Sequence, residues 1–265
     1  MIAGAVGRVA TNYSTAAEGY AEFWSPVIRP VGCRLLAAVS WSDVRRVVDI
    51  GTGTGALLPD IRRLAATAAV VGVDCAPGML ALAPQAGVGL AAMDAMHLGL
   101  RTAVFDVAVM AFMLFHVPDP VTALTEAKRV LRAGGTLGVV TWMHDPVPPA
   151  GRILDEELNA LGASDPRPAP RSDAMMDTPD KLATLLTTAG FTSERVWVDA
   201  VEHQWDVSRF ICLNTRFGAT KRRLDSLDPS ARAAVLARTA TRMCALTAEE
   251  FLYRGAALCA VATST

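Results

Sequence analysis

The sequence predicts an α/β protein: a doubly wound, mostly parallel sheet with helices on both faces. Three observations predict it. Apolar strand-like segments alternate with helical ones from about residue 46 to residue 142. A glycine turn, Gly51-Thr52-Gly53-Thr54-Gly55, joins the first strand to the first crossover helix. Acids stand at the carboxyl ends of the strands: Asp49 just before that turn, Asp74 after the second strand and Asp94 after the third. Ligands of open α/β sheets bind at this edge.

Residues 8–40 read as mostly helical, with Tyr13, Tyr20, Phe23 and Trp24 as an aromatic group and Pro26 and Pro30 interrupting. Residues 1–42 are expected to form a helical cover, whose Tyr13 or Tyr20 can reach a ligand and exclude water above the turn. Val47-Val48-Asp49-Ile50 is a buried strand, because β-branched side chains pack well on a pleated surface. The three glycines let the backbone turn sharply and present N–H groups. Leu57, Leu58, Ile61 and Leu64 then recur at helical spacing. Residues 69–74 form the second strand, and Asp74 falls 23 positions after Gly51, the interval at which a carboxylate can accept from both ribose hydroxyls. An Asp there can equally be a helix N-cap.

Residues 88–93 give the third strand, with Asp94 placed to accept from an adenine amino group and the Ala95 and Met96 amides placed to serve its ring nitrogens. Residues 105–112 are the fourth strand. Pro118-Asp119-Pro120 opens a helix that Gly134-Gly135 is expected to stop, and Thr136–Trp142 is the fifth strand. From Asp145 to Pro179 seven prolines break the pattern, so this stretch is read as a cover or insertion with one helix near 152–161. A helix around Leu182–Leu186, a strand at 192–200, helices near 208–217 and 229–245, and a closing strand at 251–263 complete the chain. The whole, 1–265, is expected to be one domain, with residues 43–145 as the cofactor-binding core and 146–265 as substrate-side insertions and closing strands.

Composition narrows the function. With 52% hydrophobic residues and a net charge of −1, the chain has a core to bury and no electrostatic case for nucleic acid. Five scattered cysteines without C-x-x-C spacing suit a reducing compartment, and no apolar run approaches the ~20 residues of a membrane span. A cytoplasmic protein is expected, with the oligomeric state unread. No cluster of ligand-type residues suggests a metal. The turn alone leaves the cofactor open, since Gly51, Gly53 and Ala56 also satisfy the dinucleotide pattern G-x-G-x-x-[G/A].

Taken in register, these segments resemble the class I S-adenosylmethionine-dependent methyltransferases, in particular the ubiquinone/menaquinone-biosynthesis group. The resemblance covers residues 40–145. Val47–Gly55 is similar to the first motif, with Thr52 where cysteine is frequent, and Val73-Asp74 and Met93-Asp94-Ala95 to the ribose and adenine segments. Phe105-Asp106 with Leu114–Pro120 resembles the fourth-strand motif, Phe115 standing where histidine is common. Val130–Gly135 resembles the leucine–proline–glycine–glycine turn, with Ala133 replacing proline. The resemblance implies a Rossmann-like sheet of seven strands, the last antiparallel. It also implies S-adenosylmethionine held by Tyr13, Asp49, Gly51, Thr52, Gly53, Gly55, Asp74, Cys75, Met79, Asp94, Ala95, Met110 and Phe115.

Charge agrees with it. Asp49 would oppose a dinucleotide's pyrophosphate but attract the cationic methionine end. The expected reaction is methyl transfer to an oxygen or carbon of a small, hydrophobic or aromatic acceptor. If a general base is needed, His116 and His144, just past the fourth and fifth strands, are the candidates, although either can be an ordinary loop histidine. The aromatic wall is expected from the amino-terminal rings, Phe112–Phe115, Trp142, Trp205, Phe210, Leu213 and Phe217. An NAD(P)-dependent oxidoreductase and a catalytically silent binding protein of the same fold remain as alternatives.

Overall fold

The computed structural model describes residues 2–265. Helix α1 (Ile2–Ser14) is followed by a single turn, α2 (Ala17–Gly19), a wider π-helical turn over Tyr20–Trp24, and α3 (Ser25–Ala38). Strand β1 (Arg46–Ile50) leads through the glycine turn to α4 (Leu58–Leu64), then β2 (Ala69–Asp74), α5 (Pro77–Leu80) and β3 (Val88–Ala92). Next come β4 (Phe105–Ala111), α6 (Pro120–Val130) and β5 (Leu131–His144). Helices α7 (Pro149–Ala160) and α8 (Pro179–Thr188) precede β6 (Phe191–Gln204). Helices α9 (Val207–Arg216), α10 (Gly218–Asp225) and α11 (Pro229–Met243) lead to the closing strand β7 (Leu252–Ser264).

The seven strands form one sheet in the order β3-β2-β1-β4-β5-β7-β6. Strands β1 to β5 run parallel. Strand β7 lies antiparallel between β5 and β6. The order reverses at β1 and β4, the switch point at which a crevice opens on the carboxyl edge. Central strands buried on both faces explain the apolar runs read from sequence: Val47, Val48, Val107, Ala108, Val109 and Met110 are essentially inaccessible.

The helix before β5 ends earlier than the glycines suggested. Helix α6 stops at Val130 because Ala103 and Val104 donate their amides to the Arg129 and Val130 carbonyls at 2.9 Å, ending the helical ladder. Leu131 is already extended and pairs with Phe105. Gly134, at φ +71°, turns the chain within the start of β5. Helix α10 has no counterpart in the periodicity: only Leu224 along it is buried, so its apolar stripe is too thin to register.

Candidate functional site

The first strand delivers the chain to the carboxyl edge, and the glycine turn folds it onto β2. The Gly51 and Thr52 amides both donate to the Val73 carbonyl, at 2.8 and 2.9 Å. Gly51, Gly53 and Gly55 all have positive φ (76°, 56° and 72°), a region that costs an L-residue ~1–2 kcal/mol. At Gly51 space is also limiting, because a Cβ would lie 2.5 Å from that of Met113.

Asp74 closes this half of the site. Its carboxylate accepts from the Gly53 amide at 2.9 Å and from the Ala76 amide at 2.8 Å, which locks the acid against the turn. Burial nevertheless raises its pKa, because the backbone donors offset only part of the lost hydration. Asp49 is more extreme. It is buried, accepts only from the Thr52 hydroxyl at 2.7 Å, and burial together with the nearby Asp74 pushes its pKa up to about 6. Two desolvated carboxylates without a cation nearby suit a positively charged ligand, as the amino and sulfonium groups of S-adenosylmethionine are. A pyrophosphate would meet like charge.

A cavity opens at this edge, about 860 Å³ when the solvent space at its mouth is included. Its cofactor side is lined by Gly51, Gly53, Asp74, Cys75, Met79, Asp94 and Ala95. The rest of its lining is aromatic, Tyr13, Tyr20, Trp24, Phe112, Phe115, His116 and Trp142, with Tyr13 and Tyr20 packed on Ala76 and Met79 of the cofactor side. Phe112 sits at φ +53° at the end of β4, its amide donating to the Val140 carbonyl at 2.8 Å. That strained backbone turns its ring onto Trp142, 4.8 Å between centroids. Trp24, carried by the π-helical turn, packs edge-on to Tyr253 at 5.5 Å, and the Tyr253 hydroxyl donates to Asp145 at 2.7 Å.

Tyr13 and His116 meet across the wall, the Tyr13 Oη lying 2.6 Å from His116 Nε2. Burial, with Arg171 adding to it, pushes the imidazole pKa down to about 3, so His116 is neutral through the physiological range. Burial likewise raises Tyr13 well above the ordinary phenol value. A neutral imidazole already engaged by a phenol does not fit a free general base poised near neutrality.

Other expected residues sit elsewhere. Asp49, Thr52, Gly55 and Met110 are beneath the wall and do not line the cavity. Gly55 packs under Pro84 and Leu58, and Met110 is core within β4. The Met96 amide is bound by Asp94's own carboxylate at 2.9 Å, which leaves only the Ala95 amide for a base. His144 is exposed and outside the cavity: an irregularity in the β5–β7 pairing between Trp142 and His144 breaks the alternation that would have put both on one face. Phe210 packs edge-on to Trp205 at 6.4 Å and to Phe251 at 5.9 Å within the main core, and Leu213 is buried outside the cavity wall. Phe217 does not line the cavity either, but it braces Tyr13 and Tyr20 from behind, at 5.7 and 5.2 Å. Val6, Val9 and Ile28 line the cavity without having been singled out. Scattered aliphatic residues on long helices carry no signal that separates wall from core.

A seven-stranded sheet of this order, with an acid-bearing glycine turn at the switch point, defines a Rossmann-like class I methyltransferase. Comparison with known proteins agrees. Residues 48–139 match the family described as a methyltransferase domain. Demethylmenaquinone methyltransferase of Thermus thermophilus is 32% identical over 167 residues, 56% of this chain and 74% of that protein. Malonyl-[acyl-carrier protein] O-methyltransferase of Geobacter sulfurreducens is 32% identical over 223 residues, 80% of each chain. Against the demethylmenaquinone methyltransferase of Thermobifida fusca, 34% identical, the chain spans about half (52%) of the relative's length. Among solved structures, a putative methyltransferase from Bacillus halodurans superposes with TM-score 0.54 at 17% identity, covering 87% of this chain and 97% of that one. A possible histamine N-methyltransferase from Thermotoga maritima gives 0.54 at 20%, with 97% and 99% covered. The chain belongs to the S-adenosylmethionine-dependent methyltransferases of the ubiquinone/menaquinone type, with S-adenosylmethionine as its cofactor. That membership overturns the oxidoreductase alternative. Among the described residues no helix is long and apolar enough to cross a membrane.

Proposed function

We propose that this protein transfers a methyl group to an oxygen or carbon of a small, largely apolar aromatic molecule. One observation carries the reading: a single cavity joins the acid-and-glycine end to a wall of six rings, Tyr13, Tyr20, Trp24, Phe112, Phe115 and Trp142. Flat apolar acceptors gain most from such walls through area burial and offset or edge-on ring contacts. The quinone named for the Thermus relative is nearer to this chemistry than the malonyl group named for the Geobacter one.

In this reading Gly51 and Gly53 allow the cofactor's close approach, Asp74 takes its ribose, and Asp94 with the Ala95 amide takes its base. Cys75 and Met79 pack around it, and Tyr13 and Phe115, at the near end of the ring wall, border both cofactor and acceptor. Asp49 acts from beneath the turn by its field and by fixing Thr52. S-adenosylmethionine, when bound, supplies a methyl group already activated by the sulfonium. The chain's own contribution is then alignment and exclusion of water, by α1 and the π-helical turn above and the β4 and β5 ends below. The chain acts as one domain, with residues 43–145 holding the cofactor and the flanks closing the acceptor side.

Calorimetric titration with S-adenosylhomocysteine, with NADH in parallel, tests the cofactor end. Saturable binding of the first alone is expected. Incubation with methyl-labelled S-adenosylmethionine and a panel of hydroxylated aromatics beside a malonyl thioester then tests the acceptor. Label confined to the malonyl thioester would overturn the aromatic reading.

A further inference from the structure

The side chain of Thr52 is turned away from the cavity. It lies buried beneath the glycine turn, where its hydroxyl donates to Asp49 at 2.7 Å. Two features of the fold put it there. The Thr52 amide is bound to the Val73 carbonyl at 2.9 Å, which fixes the backbone against β2. Directly in register with Asp49 on β2 stands Gly72, where a Cβ would lie 3.0 Å from both Oγ1 and Cγ2 of Thr52. The side chain missing from β2 is the hollow that the threonine fills, a close approach that glycine leaves open.

Among the described residues this hydroxyl is the one hydrogen-bond donor to Asp49. Asp74, by contrast, holds the Gly53 and Ala76 amides. The in-register neighbours of Asp49, Gly72 and Val109, carry no charge. The titratable groups that act on it are Asp74 at the end of β2 and Tyr20 on the π-helical turn, and neither is a cation. Tyr20 stays protonated, chiefly through burial, with Tyr13, Asp74 and Asp49 adding to the effect. Burial pushes the Asp49 carboxyl up to about 6, the Thr52 hydroxyl works against that rise, and Asp74 adds to it. A donor of this kind stabilises the carboxylate more than the neutral acid. One hydroxyl thus sets how far below neutral pH the charge persists.

We propose that Thr52 is a positioning residue that holds the negative charge on Asp49, and that this charge weights the site toward S-adenosylmethionine over S-adenosylhomocysteine. The inference rests on the reading above, in which Asp49 acts on the cofactor from beneath the turn, and deepens it. The two ligands share every group except the methyl on sulfur, and they differ by one positive charge. A buried carboxylate acts on that charge through a medium that screens it poorly. The attraction is present while the sulfonium carries its methyl and ends when the methyl has left. The same acid therefore favours the reactant without favouring the product. Thr52 stands where cysteine is frequent in the family, and a thiol is the weaker donor.

The test measures binding of both ligands to the full chain by calorimetry between pH 5 and pH 8. Groups common to the two cancel in the ratio of their dissociation constants, which isolates the charge on sulfur. In the wild type that ratio should move toward S-adenosylmethionine by roughly five- to tenfold as pH rises across this range, the size of one charge–charge interaction in a protein site. Thr52→Val should displace the change upward by about one pH unit, the value of a hydrogen bond to a charged group. Thr52→Ser should restore the wild-type profile, Thr52→Cys should fall between, and Asp49→Asn should abolish the change. A purely structural role for Thr52 would weaken both ligands together and leave the ratio where it was. A wild-type ratio independent of pH, or a Thr52→Val profile that coincides with the wild type's, would overturn the inference. Should valine unfold the turn, Thr52→Cys carries the same test, and a cysteine profile without displacement overturns it equally. Absence of binding of either ligand to the wild type would overturn the reading of the cofactor end, and this inference with it.

Discussion

The two halves of the cavity are built from different materials. The cofactor side is made of backbone and short side chains within one stretch of chain, Gly51 to Ala95, each group fixed by a neighbouring strand end. The acceptor side is made of rings from two distant parts of the chain, residues 13, 20 and 24 on the amino-terminal helices and residues 112, 115 and 142 at the ends of β4 and β5, which meet only when those helices pack over the sheet. A half built of backbone tolerates little change. A half built of packed rings can be altered one ring at a time, which is how one scaffold comes to serve different acceptors.

The largest effect expected from this contrast is at Gly51. Gly51→Val combines a positive φ with a Cβ 2.5 Å from Met113, and should cost roughly 2–5 kcal/mol. Thermal unfolding and S-adenosylhomocysteine titration would both register it, and normal affinity in a stable variant would break the backbone account. Next, Asp74→Ala and Asp94→Ala should each weaken S-adenosylhomocysteine by about 1–3 kcal/mol, Asp74 the more because the Gly53 and Ala76 amides lose their acceptor. Unchanged affinity in both would remove the assignment of this half.

A third effect is in pH. Folding raises Asp49 from 3.8 to about 6. Its stabilisation is therefore complete below pH 3.8 and is lost as pH rises through about 6, on the order of 3 kcal/mol in the ligand-free protein. A cationic ligand needs the ionised carboxylate, so affinity should move the opposite way, weakening as pH falls from 7.5 to 5. Calorimetry at both pH values, with Asp49→Asn as a control expected to flatten the dependence, checks the sign. The smallest effect is at His144: exposed and outside the cavity, His144→Ala should change stability by less than about 0.5 kcal/mol and turnover less than twofold. A large loss of turnover would mean that the acceptor side extends beyond the rings described.

What could be read in the sequence follows the same division. Strands β1 to β5, the turn and the acids at 49, 74 and 94 are local signals, since strand period, glycine spacing and a carboxylate at a strand end lie within a few residues of one another. The Tyr13–His116 pair spans 103 positions, and nothing in either neighbourhood announces the other. The placement of His144 was hidden for a related reason: position at a strand end was legible, but the irregularity in the β5–β7 pairing that sets it outside the cavity was not. Trp205 and Phe210 show the limit of composition, because an aromatic residue destined for core and one destined for a cavity wall look alike until the helices are placed.

Phe112 shows where the fold holds energy in reserve. A left-handed backbone at a non-glycine residue is worth about 1–2 kcal/mol of stability forgone, and here it aims one ring into the cavity. Glycine at this position would relax the turn and remove the ring together. The ring's packing on Trp142 is worth more than that strain, so stability and the shape of the acceptor wall both hold phenylalanine at this position.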